Sequence, residues 1–422
     1  MTAPRLLLLA PTQSYRTDDF LAAAARLGVP VVVGTDRCHC IEETFGEEQG
    51  LWSLDYRKPE HAAEQIAEAA RREPVGGIVP VNETTAVIAA LAARRLGLPW
   101  NPPEAALRTA DKGAQRSRLA EAGLPVPSFH AFRLDEDPAR AAEAVGYPCV
   151  LKPVGLSASR GVIRADDPDG FVAAWRRIER ILRAARTERR AAGEGAGRTL
   201  LVESFVPGAE VAVEGLLRGG ALELLALFDK PDPLDGPYFE ETIYVTPSRH
   251  PAPLRAEVER LTGEACRALG LAEGPVHAEL RLSPSGPVIL EVAARSIGGL
   301  CARTLRFGAG ISLEELLVCH ALRLPIASLR RERRAAGVMM IPIPRAGTLH
   351  GVAGVEEARA VAGVEDVVVT AQPGREVAPL PEGDSYFGFI FARGEAPAEV
   401  EAALREAHAR LRIDIRASLP MV

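Results

Sequence analysis

The stretch His277-Ala278-Glu279-Leu280-Arg281-Leu282-Ser283-Pro284-Ser285-Gly286-Pro287-Val288-Ile289-Leu290-Glu291-Val292-Ala293-Ala294-Arg295 reads as two strands around a turn. Ser283-Pro284-Ser285-Gly286 supplies turn residues, so the strands must pair antiparallel. In such a ladder the numbers of paired residues share a constant sum. If Ser283 pairs with Pro287 across a three-residue loop, Glu279 and Glu291 stand opposite each other on one face, about 5 Å apart at Cβ. A two-residue loop would send Glu291 to the other face. Facing carboxylates repel unless cations lie between them, and Mg2+ (or Mn2+) is a hard ion suited to carboxylate and phosphate oxygens. The same alternation also fits two solvated hairpin glutamates. His277, Glu279 and Arg281 share a face of the first strand; Glu291, Ala293 and Arg295 continue the line on the second, with Gly298-Gly299 just after.

Upstream, Lys152 interrupts an apolar strand beginning at Cys149 and is followed by Pro153, Gly155, Ser157, Ser159 and Gly161. A Gly/Ser turn offers backbone N–H groups to phosphate oxygens, and a lysine on the adjoining strand adds a point charge, which together suggest a triphosphate clamp. The other reading is an edge-strand lysine beside an ordinary hairpin, since no G-x-x-x-x-G-K-[ST] occurs. Glu203 and Glu210 flank Phe205-Val206-Pro207-Gly208, where a strand end and Gly turn would place a carboxylate near a base or sugar, unless both are surface acids. A helix beginning at Asp111 as cap ends at Gly123, with Pro125 and Pro127 beyond it. Lys112 and Arg116 lie one turn apart on it, and spacing alone favours a solvated basic face.

Near the amino end, strand signals at 5–10, 29–33 and 75–81 alternate with helical stretches at 18–27 and 60–72. That β-α-β-α-β order predicts a Rossmann-like parallel sheet over residues 1 to about 100. The turn Pro11-Thr12-Gln13-Ser14 lacks the G-x-G-x-x-G dinucleotide fingerprint. Asn82-Glu83-Thr84 closes the third strand, either as a helix cap or as polar groups meeting a substrate. Trp100-Asn101-Pro102-Pro103 marks a domain border. Strands at 200–205, 209–217 and 222–228 predict an antiparallel meander, a Gly-rich loop spans Gly193 to Gly197, and a helix covers about 252–269. A Pro- and Arg-rich passage, 325–336, leads to a last module with strands at 337–343, 366–370 and 386–393 and a helix at 397–410.

A chain of 422 residues has room for roughly two to four domains. Fifty Lys+Arg against 56 Asp+Glu leave a net charge of −6, so composition offers no global attraction to nucleic acid or to an acidic membrane. Leu6 to Ala10 is too short for a signal-peptide core and Pro11 ends it, which predicts a first strand and a cytoplasmic protein. Six cysteines form no dense framework; Cys38-His39-Cys40 has metal-like alternation but no second ligand pair. No Ser-His-Asp or Cys-His arrangement stands out as a nucleophile.

Taken in order, Asp111-Lys112 with Arg116, Lys152-Pro153, Glu203 to Glu210, and Glu279 with Glu291 and Arg295 resemble the motifs of the ATP-grasp carboxylate-amine ligases, particularly the L-amino acid ligases and carnosine-synthase-like enzymes. The resemblance covers roughly 105–325, and 337–422 looks like the C-terminal domain of the L-amino acid ligases. It implies an α/β and α+β multidomain ATP-grasp fold: a Rossmann-like pre-ATP-grasp domain at 1–104, an ATP-grasp domain at 105–326 with a lid subdomain at about 128–215, and an α+β domain at 327–422. By resemblance, Lys112 and Lys152 hold ATP phosphates, with Ser157, Ser159 and Gly161 in the lid over them. Glu203 accepts from the adenine amino group, Phe205 and Val206 frame the base, and Glu210 binds the ribose. Glu279 and Glu291 ligate magnesium, Arg295 faces the reacting carboxylate, and Glu241 in Phe239–Pro247 borders the substrate. Ala293 stands where many ATP-grasp enzymes carry asparagine, as in the amino acid ligases. The implied reaction joins a small-molecule carboxylate, an amino acid, to an amine through an acyl phosphate; homodimers are common in the family. Two rivals stand beside it: a biotin-carboxylase-like enzyme, whose three-domain layout is similar but for which no Met-Lys-Met segment occurs, and an ATP-binding module that has lost catalysis.

Overall fold

Leu6, Leu7, Leu8 and Leu9 are completely buried, which an apolar run achieves only in a strand covered on both faces. The strand Arg5–Leu9 is an inner member of a parallel sheet ordered Leu51–Ser53, Val31–Thr35, Arg5–Leu9, Val75–Pro80. Helices Thr17–Arg26, Pro59–Arg72 and Glu83–Leu96 complete the expected Rossmann-like unit. The computed structural model describes residues 5–12, 14–36, 50–188 and 199–417, the last four of 50–188 by backbone only. Cys38-His39-Cys40 and Gly193 to Gly197 lie outside the described residues.

A small antiparallel sheet follows, ordered Phe129–Arg133, Thr199–Ser204, Cys149–Pro153, Ile163–Ala165. The helix Pro168–Glu188 packs Phe171, Trp175 and Ile178 against it. The expected three-strand meander is therefore split. Thr199–Ser204 belongs to this small sheet, while Ala209–Arg218 and Ala221–Lys230 pair with each other in a different one. The turn Phe205–Gly208 makes the break: Gly208 has φ +115°, and a Cβ there would lie 2.1 Å from the Leu282 carbonyl oxygen, so only glycine lets the chain pass. The small sheet thus ends at Ser204, short of the lid border expected near 215.

The large sheet has eight strands: Gly286–Ala293, Gly274–Ser283, Ala209–Arg218, Ala221–Lys230, Ile243–Thr246, Ala335–Ile341, Gly388–Gly394 and Val364–Val369. Helix Ala252–Leu269 covers one face through Val258, Leu261 and Leu269. The sheet runs without interruption across the expected border at 327, because Ile243–Thr246 pairs with Ala335–Ile341. Val338, Met340, Phe389 and Phe391 of the downstream strands share a core with Leu6, Phe20 and Phe228. A further sheet of Glu376–Val377, Gly347–Ala353 and Arg412–Arg416 was not anticipated from the sequence pattern. Among the described residues no helix is long and apolar enough to cross a membrane.

Candidate active site

The decisive hairpin closes differently from the expected loop. Ser283 pairs with Gly286 across a two-residue turn, which by itself would turn Glu291 away from Glu279. A bulge between the Leu280–Ile289 pair and the Glu279–Glu291 pair inserts Leu290 as an extra residue and brings the two glutamates back opposite each other. The strand Gly286–Ala293 is a sheet edge, and the helix Lys112–Glu121, capped by Asp111 (Oδ1 to Ala114 N–H, 2.9 Å), covers it. Gln115 both donates to the Val292 carbonyl (2.7 Å) and accepts from its N–H (2.8 Å), as a neighbouring strand would. Arg116 donates to the carbonyls of Ile289 (2.8 Å) and Leu290 (2.5 Å), which holds the bulge in place.

Consequently the solvated basic face does not exist. Arg116 is 3% exposed, and its Nε donates to Glu203 (2.6 Å). Lys112 Nζ reaches both oxygens of Glu291 at 2.9 and 3.0 Å. Burial opposes the Lys112 charge, but Glu291, Glu83 and Glu279 outweigh it and raise the ammonium pKa. Glu203 is held between Arg116 and Lys152, whose Nζ lies 2.6 Å from its second oxygen. Burial alone would raise the Glu203 carboxyl; Lys152 and Arg116 instead hold it at about 2. Its expected adenine contact thus meets a carboxylate already bonded on both oxygens.

A second cluster surrounds Lys230, the last residue of Ala221–Lys230 and the register partner of Glu210. Its Nζ donates to Glu210 (2.6 Å), Glu279 (3.2 Å) and Glu241. Arg281 bonds the other oxygen of Glu210 (3.0 Å), and Tyr244 donates its hydroxyl to Glu241 (2.9 Å). Burial, with Glu279 and Glu210 close by, drives the Glu241 carboxyl up to about 7 against the pull of Lys230. Among the described residues, Glu210, Glu241 and Glu279 are the one group of potential ligands whose oxygens all lie within 4.8 Å of one another. Oxygen donors of this kind fit a hard divalent cation. Glu291 lies outside that trio, on Lys112.

Elsewhere in the site, Arg295 donates twice to Glu83 (2.8 and 2.5 Å). Burial opposes the Glu83 charge, yet Arg295 holds this carboxyl at about 2. Asn82 caps the helix Glu83–Leu96 by accepting from Thr85 N–H (2.9 Å), so the strand end is both a cap and, through Asn82 and Glu83, a cavity wall. Lys112, Lys152, Glu83, Glu203, Glu210, Glu241, Glu279, Glu291 and Arg295 line a single cavity of about 610 Å³, together with Ser157, Ser159, Phe205 and Val206, whereas Arg116 and Lys230 do not line it themselves. Gly161 does not line it, and its N–H donates to the Pro381 carbonyl (2.9 Å).

Sequence reasoning missed several participants. Lys230 is one, and only the register that sets it opposite Glu210 marks it. Arg16 is 5% exposed, donates to Ser296 Oγ (2.8 Å), and ties the first strand's loop to the segment after Arg295. Glu214 is fully buried and accepts from Ile297 N–H (2.9 Å), with His277 Nδ1 3.3 Å away. Tyr386 comes from the last module. No local signal announces Arg16, Glu214 or Tyr386, because each acts through tertiary placement.

Comparison with known proteins agrees with this architecture. Residues 145–304 match the model of an ATP-grasp domain, 21–100 that of an ATP-grasp N-terminal domain and 339–416 that of L-amino acid ligase C-terminal domain 2. Carnosine synthase 1 of Gallus gallus is 31% identical over 311 residues, 71% of this chain and 33% of that protein. Alanine–anticapsin ligase of Bacillus subtilis (strain 168) is 26% identical over 328 residues, 74% of this chain and 68% of that one. The chain thus spans about two thirds of the alanine–anticapsin ligase and one third of the carnosine synthase. The crystal structure of L-amino acid ligase from Bacillus licheniformis superposes with a TM-score of 0.77 at 26% identity, covering 99% of this chain and 100% of that one. The chain thus carries an ATP-grasp domain between an ATP-grasp N-terminal domain and an L-amino acid ligase C-terminal domain, and has ligases of the carnosine synthase and alanine–anticapsin kind among its homologues.

Proposed function

We propose that this chain uses ATP to join an amino acid carboxylate to an amine, with ADP and phosphate as the other products. The carboxylate attacks the γ-phosphorus, the bond from that phosphorus to the β–γ bridging oxygen breaks, and ADP leaves. The amine nitrogen then attacks the acyl carbon of the acyl phosphate and expels phosphate, its surplus proton passing to a base. The observation that carries the reading is one cavity in which the Lys112 and Lys152 cations, the Glu210, Glu241 and Glu279 carboxylates and the Arg295 guanidinium face a common space.

Phosphoryl transfer needs positioning and charge neutralisation more than a protein nucleophile. Lys112 and Lys152 attract the phosphates, and their carboxylate partners Glu291 and Glu203 fix where those charges stand. Glu279 would hold magnesium either with Glu291, as the resemblance implies, or with Glu210 and Glu241, whose oxygens lie within 4.8 Å of one another, and the bound ion would neutralise phosphate charge. Lys230 balances that carboxylate cluster in the chain alone. Phe205 and Val206 offer an apolar wall to the base, with Arg164 stacked on Phe205 at 4.2 Å. Arg295, which rests on Glu83 and the Ser296 carbonyl, would turn to the reacting carboxylate and to the charge that grows on its phosphorylated form. The Glu241 carboxyl, raised towards neutrality, suits the proton of the incoming amine. The relatives support the substrate class: one is a carnosine synthase and one an alanine–anticapsin ligase.

The test is phosphate release over paired amino acids, with mass spectrometry of the products. ADP and amide should form in equal amounts only when acid, amine, ATP and magnesium are all present. ADP release driven by bicarbonate alone, or nucleotide binding with no turnover over a broad acid and amine panel, would overturn the proposal.

A further inference from the structure

The small sheet that carries the Gly/Ser turn is fastened to a loop from the far end of the chain. Arg177, on the helix Pro168–Glu188, forks onto Glu382, with Nε at 2.7 Å from one oxygen and Nη2 at 2.9 Å from the other. Gly161 N–H donates to the Pro381 carbonyl (2.9 Å), and Arg160 Nη1 donates to Asp384 (3.2 Å). Arg177 also donates to the Tyr238 hydroxyl, and Ile163 bridges to Tyr238, so the passage 235–238 grips the same body from a second side. These contacts cross more than 200 positions of sequence in the Arg177–Glu382 and Arg160–Asp384 pairs.

The turn they hold is strained. Ala158 and Ser159 both have positive φ, 54° and 55°, a region that costs roughly 1–2 kcal/mol for each residue bearing a Cβ. Two such residues in succession persist only where surrounding contacts over-determine them. The holding loop is also part of the cavity: two and four residues beyond Glu382, Asp384 and Tyr386 line its wall. One short segment therefore touches the lid on one side and the substrate space on the other.

We propose that the loop 381–386 is the catch of the lid, with Arg177 and Glu382 as its positioning pair. A substrate seated against Asp384 and Tyr386 steadies the loop, and the steadied loop keeps 157–161 closed over the triphosphate. This rests on the ligase reading above and adds the means by which substrate occupancy governs lid closure. With the catch undone, water reaches the γ-phosphorus and ATP plus water gives ADP plus phosphate without an amide.

The experiment uses the full chain and the variants Arg177→Ala, Glu382→Ala and the double variant. All three change half-exposed side chains that the fold does not bury. Hydrogen exchange of the peptide spanning 157–161 is measured first without nucleotide, then with magnesium and the non-hydrolysable ATP analogue AMPPNP. Each single variant should speed exchange about threefold to tenfold in the ligand-free chain, as expected for an exposed forked pair. The double variant should be no faster than the faster single. The ratio of ADP to amide should rise from about one to two or more in every variant. Unchanged exchange, or a double effect equal to the product of the singles, would overturn the catch. Absence of amide from the unmodified chain would sink the ligase reading instead, while ligand-free exchange still decides the catch.

Discussion

Replacing Arg116 by methionine keeps most of a buried stem and removes a fork that serves three acceptors at once. The guanidinium bonds Glu203 and the carbonyls of Ile289 and Leu290 at 3% exposure, so water cannot take its place. The Glu203 carboxyl rests at about 2 instead of 4.5, and at about 1.4 kcal/mol per pH unit this is on the order of 3 kcal/mol left by Lys152 and Arg116 together after they have offset the opposing effect of burial. Arg116→Met gives up part of that, and each orphaned carbonyl costs ~1–3 kcal/mol more. Breaking a buried ion pair by removing one partner costs ~3–5 kcal/mol in all, so the expected loss is about 4 kcal/mol. It should be read as a lower urea midpoint together with faster hydrogen exchange in 286–293.

The pH dependence supplies an independent sign. The unfolded carboxyl takes its proton near 4.5 and the folded one only near 2, so this stability is complete above about 4.5 and drains away as the pH falls towards 2. Arg116→Met should flatten that acid limb. A loss of less than about 1 kcal/mol at neutral pH, the worth of a surface pair, would refute the reasoning, as would an unaltered acid limb.

Glu291→Ala frees Lys112 and removes one carboxylate of the bulged pair; magnesium-dependent ADP release should fall at least about 100-fold, and unchanged turnover would remove Glu291 from the nucleotide site. Arg295→Ala should lower the rate by about 10³-fold or more, by analogy with arginines that stabilise phosphoryl-transfer charge, whereas a tenfold loss would mark Arg295 as a structural partner of Glu83. Gly208→Ala places a Cβ 2.1 Å from the Leu282 carbonyl oxygen at φ +115° and should destabilise by about 2–4 kcal/mol, read as a fall in melting temperature; a melting temperature within one degree would contradict the close approach.

The elements that were legible in sequence share one property: their signal is local. Leu6–Leu9, Asp111 as a cap and the turn at Ser283–Gly286 declare themselves within a few residues. The Glu279–Glu291 pairing was foreseen, but by a three-residue loop. The chain reaches it through a two-residue turn plus a bulge at Leu290, and that bulge depends on Arg116, which lies 174 positions away. Lys112 and Arg116 look like solvated cations because helical spacing says which side chains travel together, not what they meet. Strands Thr199–Ser204 and Ala209–Arg218 look like consecutive members of one sheet because strand signals carry no sheet address; the positive φ of Gly208 assigns them to two.

The strand Ile243–Thr246 starts two residues after Glu241 and shares a single register pair with Ala221–Lys230, through Asp229 and Val245, but four with Ala335–Ile341. Its principal anchor is thus a segment some ninety residues downstream. Cutting the chain before that segment would leave a naked sheet margin, prone to recruit other molecules, and would set Glu241 adrift. Any natural or engineered shuffling that exchanges the carboxyl-terminal module must match it to Ile243–Thr246, so the two halves are bound to diverge in step.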